Sequence, residues 1–123
     1  MKQHAIRFVL SLAAACSIST FVYAEDSLKA IQERGVIRIA NTQSSPPWSY
    51  LGDDNKPAGY DVAMAQEVAK RIGVPKVEFV ADSFKNFVEG LKADKYDLVM
   101  NDVTPTEERR KQVDFASPYG VEQ

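Results

Sequence analysis

A disulfide needs two cysteines, and this sequence has one, Cys16; it also has a single histidine, His4. A disulfide framework and a Cys/His zinc site are therefore excluded. An excess of positive charge is missing too. Fifteen lysines and arginines stand against 17 acids, for a formal net charge of −2. No basic stripe carries interleaved aromatics, which argues against an electrostatic grip on nucleic acid. The apolar run from Phe8 to Tyr23 is 16 residues, short of the roughly 20 that span a bilayer. No nucleophile–base pair and no acid dyad at a useful spacing is visible, so the residues present suggest no enzyme, cofactor or metal site.

What remains is ordinary globular material. Apolar residues make up 45% and charged residues 26% of 123 residues, enough for one domain or part of one. The first 24 residues read as an export signal. Lys2 and Arg7 precede the apolar run, which closes on Val22-Tyr23-Ala24 with small or aliphatic residues at the outer two positions. "LAAAC" loosely resembles a lipobox, but Ala13 stands where leucine is favoured. Periplasmic release is thus the expected outcome, with lipid anchoring at Cys16 as the alternative.

Residues 25–123 alternate helix and strand patterns. "EDSLKAIQERG" reads as a helix capped by Asp26 or Ser27 and stopped by Gly35. "VIRIA" reads as a strand. The segment 41–59, with Pro46-Pro47 and Asp53-Asp54-Asn55, reads as an irregular loop. "YDVAMAQEVAKRIG" is the best helix, with Asp61 as expected N-cap and Val62, Ala65, Val68, Ala69 and Ile72 on one stripe. "KVEFV" is a second strand. Asp82 or Ser83 is expected to cap "FKNFVEGLKAD", where Phe84, Phe87, Val88 and Leu91 share a side. "YDLVMN" is nearly all apolar and suits a strand covered on both faces. "TEERRKQ" opens a last helix behind Thr106, and "VDFASPYG" reads as an extended exit segment, a fourth strand pattern. This order implies an α/β domain with a largely parallel sheet. Ligands bind such sheets at the carboxyl ends of the strands, where residues 41–50 and 101–106 fall.

"GVIRIANTQSSPPWSY", "PAGYDVAMAQEVAKRIG" and "KVEFVADSFKNFVEGLKADKYDLVMNDVTPTEERRKQVDFASPYG" together resemble the start of an extracytoplasmic solute-binding protein of family 3, the polar amino acid type. The most specific block runs from Lys95 to Tyr119: Tyr-Asp, an apolar strand, Thr-x-Thr-x-x-Arg, Val-Asp-Phe and Pro-Tyr. The resemblance implies a type II periplasmic-binding-protein fold, of which this chain supplies most of the first lobe only. It implies capture of an amino acid or related carboxylate between two lobes that close by a hinge motion, a membrane permease of an ABC importer as partner, and a monomer. Two alternatives share the scaffold: a periplasmic dehydratase acting on cyclic acids, and a ligand-sensing module of a receptor or cell-wall enzyme.

The resemblance also proposes a site. Arg109 matches the arginine that takes a ligand carboxylate, a bidentate and charge-assisted contact, and Thr104 matches the position that offers a hydroxyl and an amide. From the residues alone, a helix start beside a guanidinium is an anion site, while pairing of Arg109 with a nearby glutamate is the competing reading. Asn101 and Asp102 match the strand-end positions. Asp102 departs from the small residue common there; it either meets a cationic group of the ligand or holds its own loop. Phe84 matches a stacking position. Ser45 stands near a second such position, which Trp48 or Tyr50 is expected to cover. Core packing is the alternative for Phe84, and pinning of the loop for Trp48. Arg110 and Lys111 read as solvated surface.

Overall fold

A computed structural model describes residues 24–120; apart from Ala24, the expected export signal, with Cys16, lies outside the described residues. Helix α1 (Ala24–Arg34) leads into strand β1 (Val36–Asn41). The helix starts ahead of Asp26 and Ser27, the expected caps. Gly35 ends it in the left-handed region at φ 73°, and its amide returns to Ile31 O at 2.9 Å. That conformation is one a side chain disfavours.

Strand β1 is the middle of the main sheet. Helix α2 (Tyr60–Arg71) carries the chain back to β5 (Lys76–Ala81), which pairs with β1 in parallel from Val36↔Lys76 to Asn41↔Ala81. A 3-10 turn (Phe84–Asn86) and α3 (Phe87–Lys92) then cross to β6 (Leu98–Val99), parallel to β1 on its other side. The order is β5-β1-β6. A single-turn α4 (Glu107–Arg110) and an extended exit segment follow.

Alternation in β1 builds two layers. Ile37 and Ile39 pack with Ala65, Ala69, Val74 and Met100, and Ile31 and Met64 close the edge of that cluster. Ala40 points the other way, against Phe87 and Tyr96. Helices thus cover both faces of a parallel sheet, the expected class. Each buried isoleucine contributes about 1.5–3 kcal/mol.

Four expectations are corrected. The segment 41–59 is not irregular: β2 (Ser44–Ser45), β3 (Ser49–Leu51) and β4 (Pro57–Ala58) form a small antiparallel sheet. Their two- and three-residue lengths leave no room for an alternating pattern. The strand read in "YDLVMN" is only two residues long at the sheet edge, with Leu98 37% exposed rather than covered. "VDFASPYG" forms no strand among the described residues. Asp61 is not the cap of α2. Gly59 is, at φ 115°, and the carbonyls of Pro47 and Trp48 accept from the amides of Tyr60 and Asp61 at 3.0 and 2.9 Å.

Candidate functional site

Because β5, β1 and β6 are parallel, their carboxyl ends share one edge of the sheet. Backbone bonds knit the segments that leave it: Asp82 N to Asn41 O at 3.1 Å and Met100 N to Ala40 O at 3.0 Å. An open concavity lies there, lined by Thr42, Ser44, Ala81, Asp82, Ser83 and Phe84.

Arg109 sits on its rim. Its guanidinium lies 5.2 Å from the centre of the Phe84 ring, a cation–π distance. Nη1 donates to Thr104 O at 2.8 Å. None of the ion pairs among the described residues involves Arg109, so the glutamate pairing considered above does not occur in them. Thr106 caps α4, its Oγ1 accepting from Arg109 N at 3.2 Å. The cap fixes the backbone from which the guanidinium projects. With one turn only, α4 adds little dipole, so the positive charge of the site is that of Arg109 itself.

Phe84 is 41% exposed and leans on buried Phe87 with ring centres 5.5 Å apart. Asp82 sets the turn beneath it. Its Oδ1 accepts from Ser83 N at 2.8 Å and Asn86 Nδ2 at 2.9 Å, and its Oδ2 accepts from Tyr96 OH at 3.0 Å. Ser83 occupies the cap position without a side-chain bond, and Asp82, one residue earlier, braces the turn through Ser83 N and the Asn86 side chain. These donors, Asn86 first, lower the Asp82 pKa. Burial, with the Asp82 charge behind it, pushes Tyr96 up to about 12.

The remaining expected site residues, Asn101, Asp102 and Trp48, do not line the concavity itself. Asn101 is buried, and its Oδ1 accepts from Ser49 Oγ at 2.6 Å, Thr42 N at 2.8 Å and Thr42 Oγ1 at 3.0 Å. It fastens the loop after β1 to the loop after β6 from underneath the site. Asp102 adopts φ 53°, a left-handed conformation, and lies beside Asp61. Trp48 meets the edge of Tyr60 at 5.5 Å, and Tyr60 stacks on Tyr119 at 6.0 Å. Trp48 is thus part of an aromatic group with Tyr60 and Tyr119 that pins the exit segment.

Asp61, expected only as a helix cap, and Tyr119, named only as the end of a motif, are joined next to this arrangement. Asp61 is fully buried, and its Oδ1 accepts from Tyr119 OH at 2.6 Å. Burial raises the Asp61 pKa, partly opposed by the Tyr119 hydroxyl and the facing Asp102 amide. Burial and the Asp61 charge push Tyr119 far above its ordinary value. The spacing of 58 positions between the two carries no local signal.

The family model of bacterial extracellular solute-binding proteins, family 3, matches residues 37–123. The chain is 31% identical over 120 residues to the L-cystine-binding protein TcyJ of Escherichia coli K12, covering 97% of this chain and 45% of that protein. It is 34% identical over 117 residues to a cyclohexadienyl dehydratase of Pseudomonas aeruginosa, covering 95% and 43%. Among solved structures, the arginine-bound form of domain 1 from TmArgBP superposes with a TM-score of 0.70 at 32% identity, over 73% of this chain and 71% of that one. The chain spans less than half the length of those two curated relatives.

Proposed function

Since this chain belongs to the bacterial extracellular solute-binding proteins of family 3, we propose that it binds an amino acid or a related small carboxylate at the Arg109 edge of its sheet. The observation that carries this reading is the guanidinium of Arg109. It is held over Phe84 and fixed by Thr104 O, and no ion pair among the described residues claims it. Nε and Nη2 are then the donors a ligand carboxylate meets. The Thr104 hydroxyl lies on the same loop, and the Phe84 ring offers an apolar or cation–π surface to the rest of the ligand.

The role we assign is capture for an ABC importer, delivered to a membrane permease. Residues 1–24 are the export signal that places the chain in the periplasm, and residues 25–123 are the larger part of a first lobe that acts as a monomer, without catalysis. The relatives support the ligand class: one is named for L-cystine, and one solved structure is a single domain in its arginine-bound form. That structure also supports ligand capture by one lobe. No described helix is long and apolar enough to cross a membrane.

A second reading has its own support. A relative of similar identity is a dehydratase, and on that reading the same carboxylate grip holds a cyclic acid for elimination of water.

A thermal-shift screen decides between them. L-cystine, L-arginine, L-histidine and a hydroxycyclohexadienyl carboxylate are each added to the protein and to Arg109→Ala. A ligand at about 100 times its Kd stabilises by about 2.7 kcal/mol, and Arg109→Ala removes the shift. A shift that survives in Arg109→Ala rejects the site. Appearance of an aromatic product in the ultraviolet spectrum selects the dehydratase reading.

A further inference from the structure

Strand β1 presents Ile37, Ile39 and Asn41 to one face of the sheet, because side chains alternate along a strand. The two isoleucines pack on Ala65 and Ala69 of α2. Asn41 continues their row with an amide in place of a hydrophobe, and it is as deeply buried as they are. Neither its Oδ1 nor its Nδ2 has a hydrogen-bond partner among the described residues. A third buried side-chain atom in that condition is Oδ2 of Asp61, a residue that also has no exposed surface. Oδ1 of Asp61 is taken by Tyr119 OH at 2.6 Å. The Asp102 amide faces this carboxylate, yet Oδ2 receives no hydrogen bond. Buried polar groups are as a rule paired, with protein or with ordered water.

Register puts Asn41 and Asp61 at one level. Helix α2 starts beyond the carboxyl end of β1 and delivers the chain to Lys76, which pairs with Val36 at the amino end of β1. It therefore runs antiparallel to β1. One turn of four helical residues advances about 6 Å, and two strand residues advance about 6.6 Å. Ala69 and Ala65 thus climb in step with Ile37 and Ile39, and the next turn sets Asp61 beside Asn41. Hydrogen bonds bracket the same place from outside. Thr42 N, one residue past Asn41, and Ser49 Oγ both donate to Asn101 Oδ1, at 2.8 and 2.6 Å. Trp48 O, one residue before Ser49, accepts from Asp61 N at 2.9 Å.

We propose that one internal water molecule bridges the Asn41 amide and the Asp61 carboxylate. It accepts from Asn41 Nδ2, donates one proton to Asn41 Oδ1 and donates the other to Asp61 Oδ2. Three bonds are the usual number for a buried water, and they satisfy all three atoms at once. A hard metal ion suits the place poorly: it takes about six oxygens, and here an N–H donor stands beside two acceptors. The water has a structural consequence for the concavity. Asn41 precedes Thr42 and pairs in register with Ala81, and both of those residues line the concavity. The bridge therefore braces the floor of the concavity against the first turn of α2 from the core side. It does so whatever the concavity binds.

Crystals of the protein that order internal water are the first test. One density peak is expected at hydrogen-bond distance from Asn41 Nδ2, Asn41 Oδ1 and Asp61 Oδ2. In solution, rotating-frame Overhauser spectra are expected to show cross-peaks between water and the Asn41 side-chain amide protons, with the sign of dipolar contact rather than of exchange. Asn41→Leu, checked as folded by circular dichroism, is expected to lose the density peak. If that variant does not fold, the unaltered protein decides alone. A direct hydrogen bond from Asn41 Nδ2 to Asp61 Oδ2 overturns the proposal. So does a metal ion at the place, a water that reaches only one of the two residues, or no density together with no Overhauser contact.

Discussion

Gly90 and Asp61 show what single residues decide. A Cβ on Gly90 would stand 1.9 Å from the hydroxyl oxygen of Tyr96. Tyr96 is buried and held by Asp82, so it has nowhere to retreat. Gly90→Ala is therefore expected to destabilise by about 1–3 kcal/mol through overpacking, despite the better helix propensity of alanine. Urea unfolding monitored by circular dichroism checks it. Asp61 carries the opposite kind of strain. Its folded pKa is raised, so its contribution is fully present below the unfolded carboxyl pKa of about 3.9 and is lost as pH rises through the raised folded value. Asp61→Asn keeps an acceptor for Tyr119 and removes the buried charge. Its stability relative to the unaltered protein is expected to improve as pH rises from 4 toward neutrality. A stability difference that is flat across that range counts against a raised Asp61. The sequence placed Asp61 at a helix start correctly. It could not show that Pro47 and Trp48 carbonyls take over the capping, because that contact depends on how the intervening loop folds back.

At the scale of elements, the long helix and the first two strands were legible because they repeat a pattern. Val62, Ala65 and Ala69 recur at helical spacing and are buried, and Ile37 and Ile39 alternate as a half-covered strand requires. The segment 41–59 was not legible. Its strands pair through backbone over two or three residues, so no side-chain period can announce them. What fixes this segment is a distant side chain, Asn101, whose one oxygen receives three donors from Thr42 and Ser49. Asn101→Ala leaves the buried Ser49 hydroxyl and the half-buried Thr42 amide without that acceptor. A loss of about 2–3 kcal/mol is expected, since unpaired buried donors cost about 1–3 kcal/mol each. The loosening should be local. Hydrogen exchange at Thr42, Ser44 and Ser49 is expected to quicken more than exchange in α2. Equal quickening in α2 would mean that Asn101 holds the whole domain rather than the loop. The sequence singled out Asn101 by its place at a strand end; its direction, inward to the loop after β1, became visible only in three dimensions.

At the scale of the whole molecule, a charge network joins segments that lie far apart in sequence. Asp97, at the entry to β6, meets Arg34 of α1 and accepts from the Arg38 amide at 2.8 Å and from Arg38 Nη2 at 3.0 Å. Arg38 also reaches Asp94, which follows α3. The half-buried Asp97 thus ties α1, the central strand and the edge strand, and Arg38 adds the turn after α3. Burial by itself would raise the Asp97 pKa, but the Arg38 hydrogen bonds and the charges of Arg38 and Arg34 outweigh it and hold the carboxyl below its ordinary value. A lowered carboxyl contributes stability above its unfolded pKa, and that contribution is lost as pH falls through the folded value. Asp97 and Asp61 therefore pull the acid limb in opposite directions. As pH falls below the unfolded carboxyl pKa of about 3.9 the contribution of Asp97 declines toward its lower folded value, while Asp61 no longer has a charge to bury. Asp97→Asn is expected to lower stability at pH 7 by about 1–3 kcal/mol, an amount set by charged hydrogen bonds of which Arg34 and Arg38 keep part in solvent. The same variant should show a shallower decline between pH 4 and pH 2 than the unaltered protein. Parallel decline of the two, measured by urea midpoints across that range, would assign acid unfolding to carboxylates other than Asp97. Because β6 pairs with β1 over two residues only, the variant is expected to release the edge strand first. Exchange at Leu98 and Val99 should then rise ahead of exchange in β5.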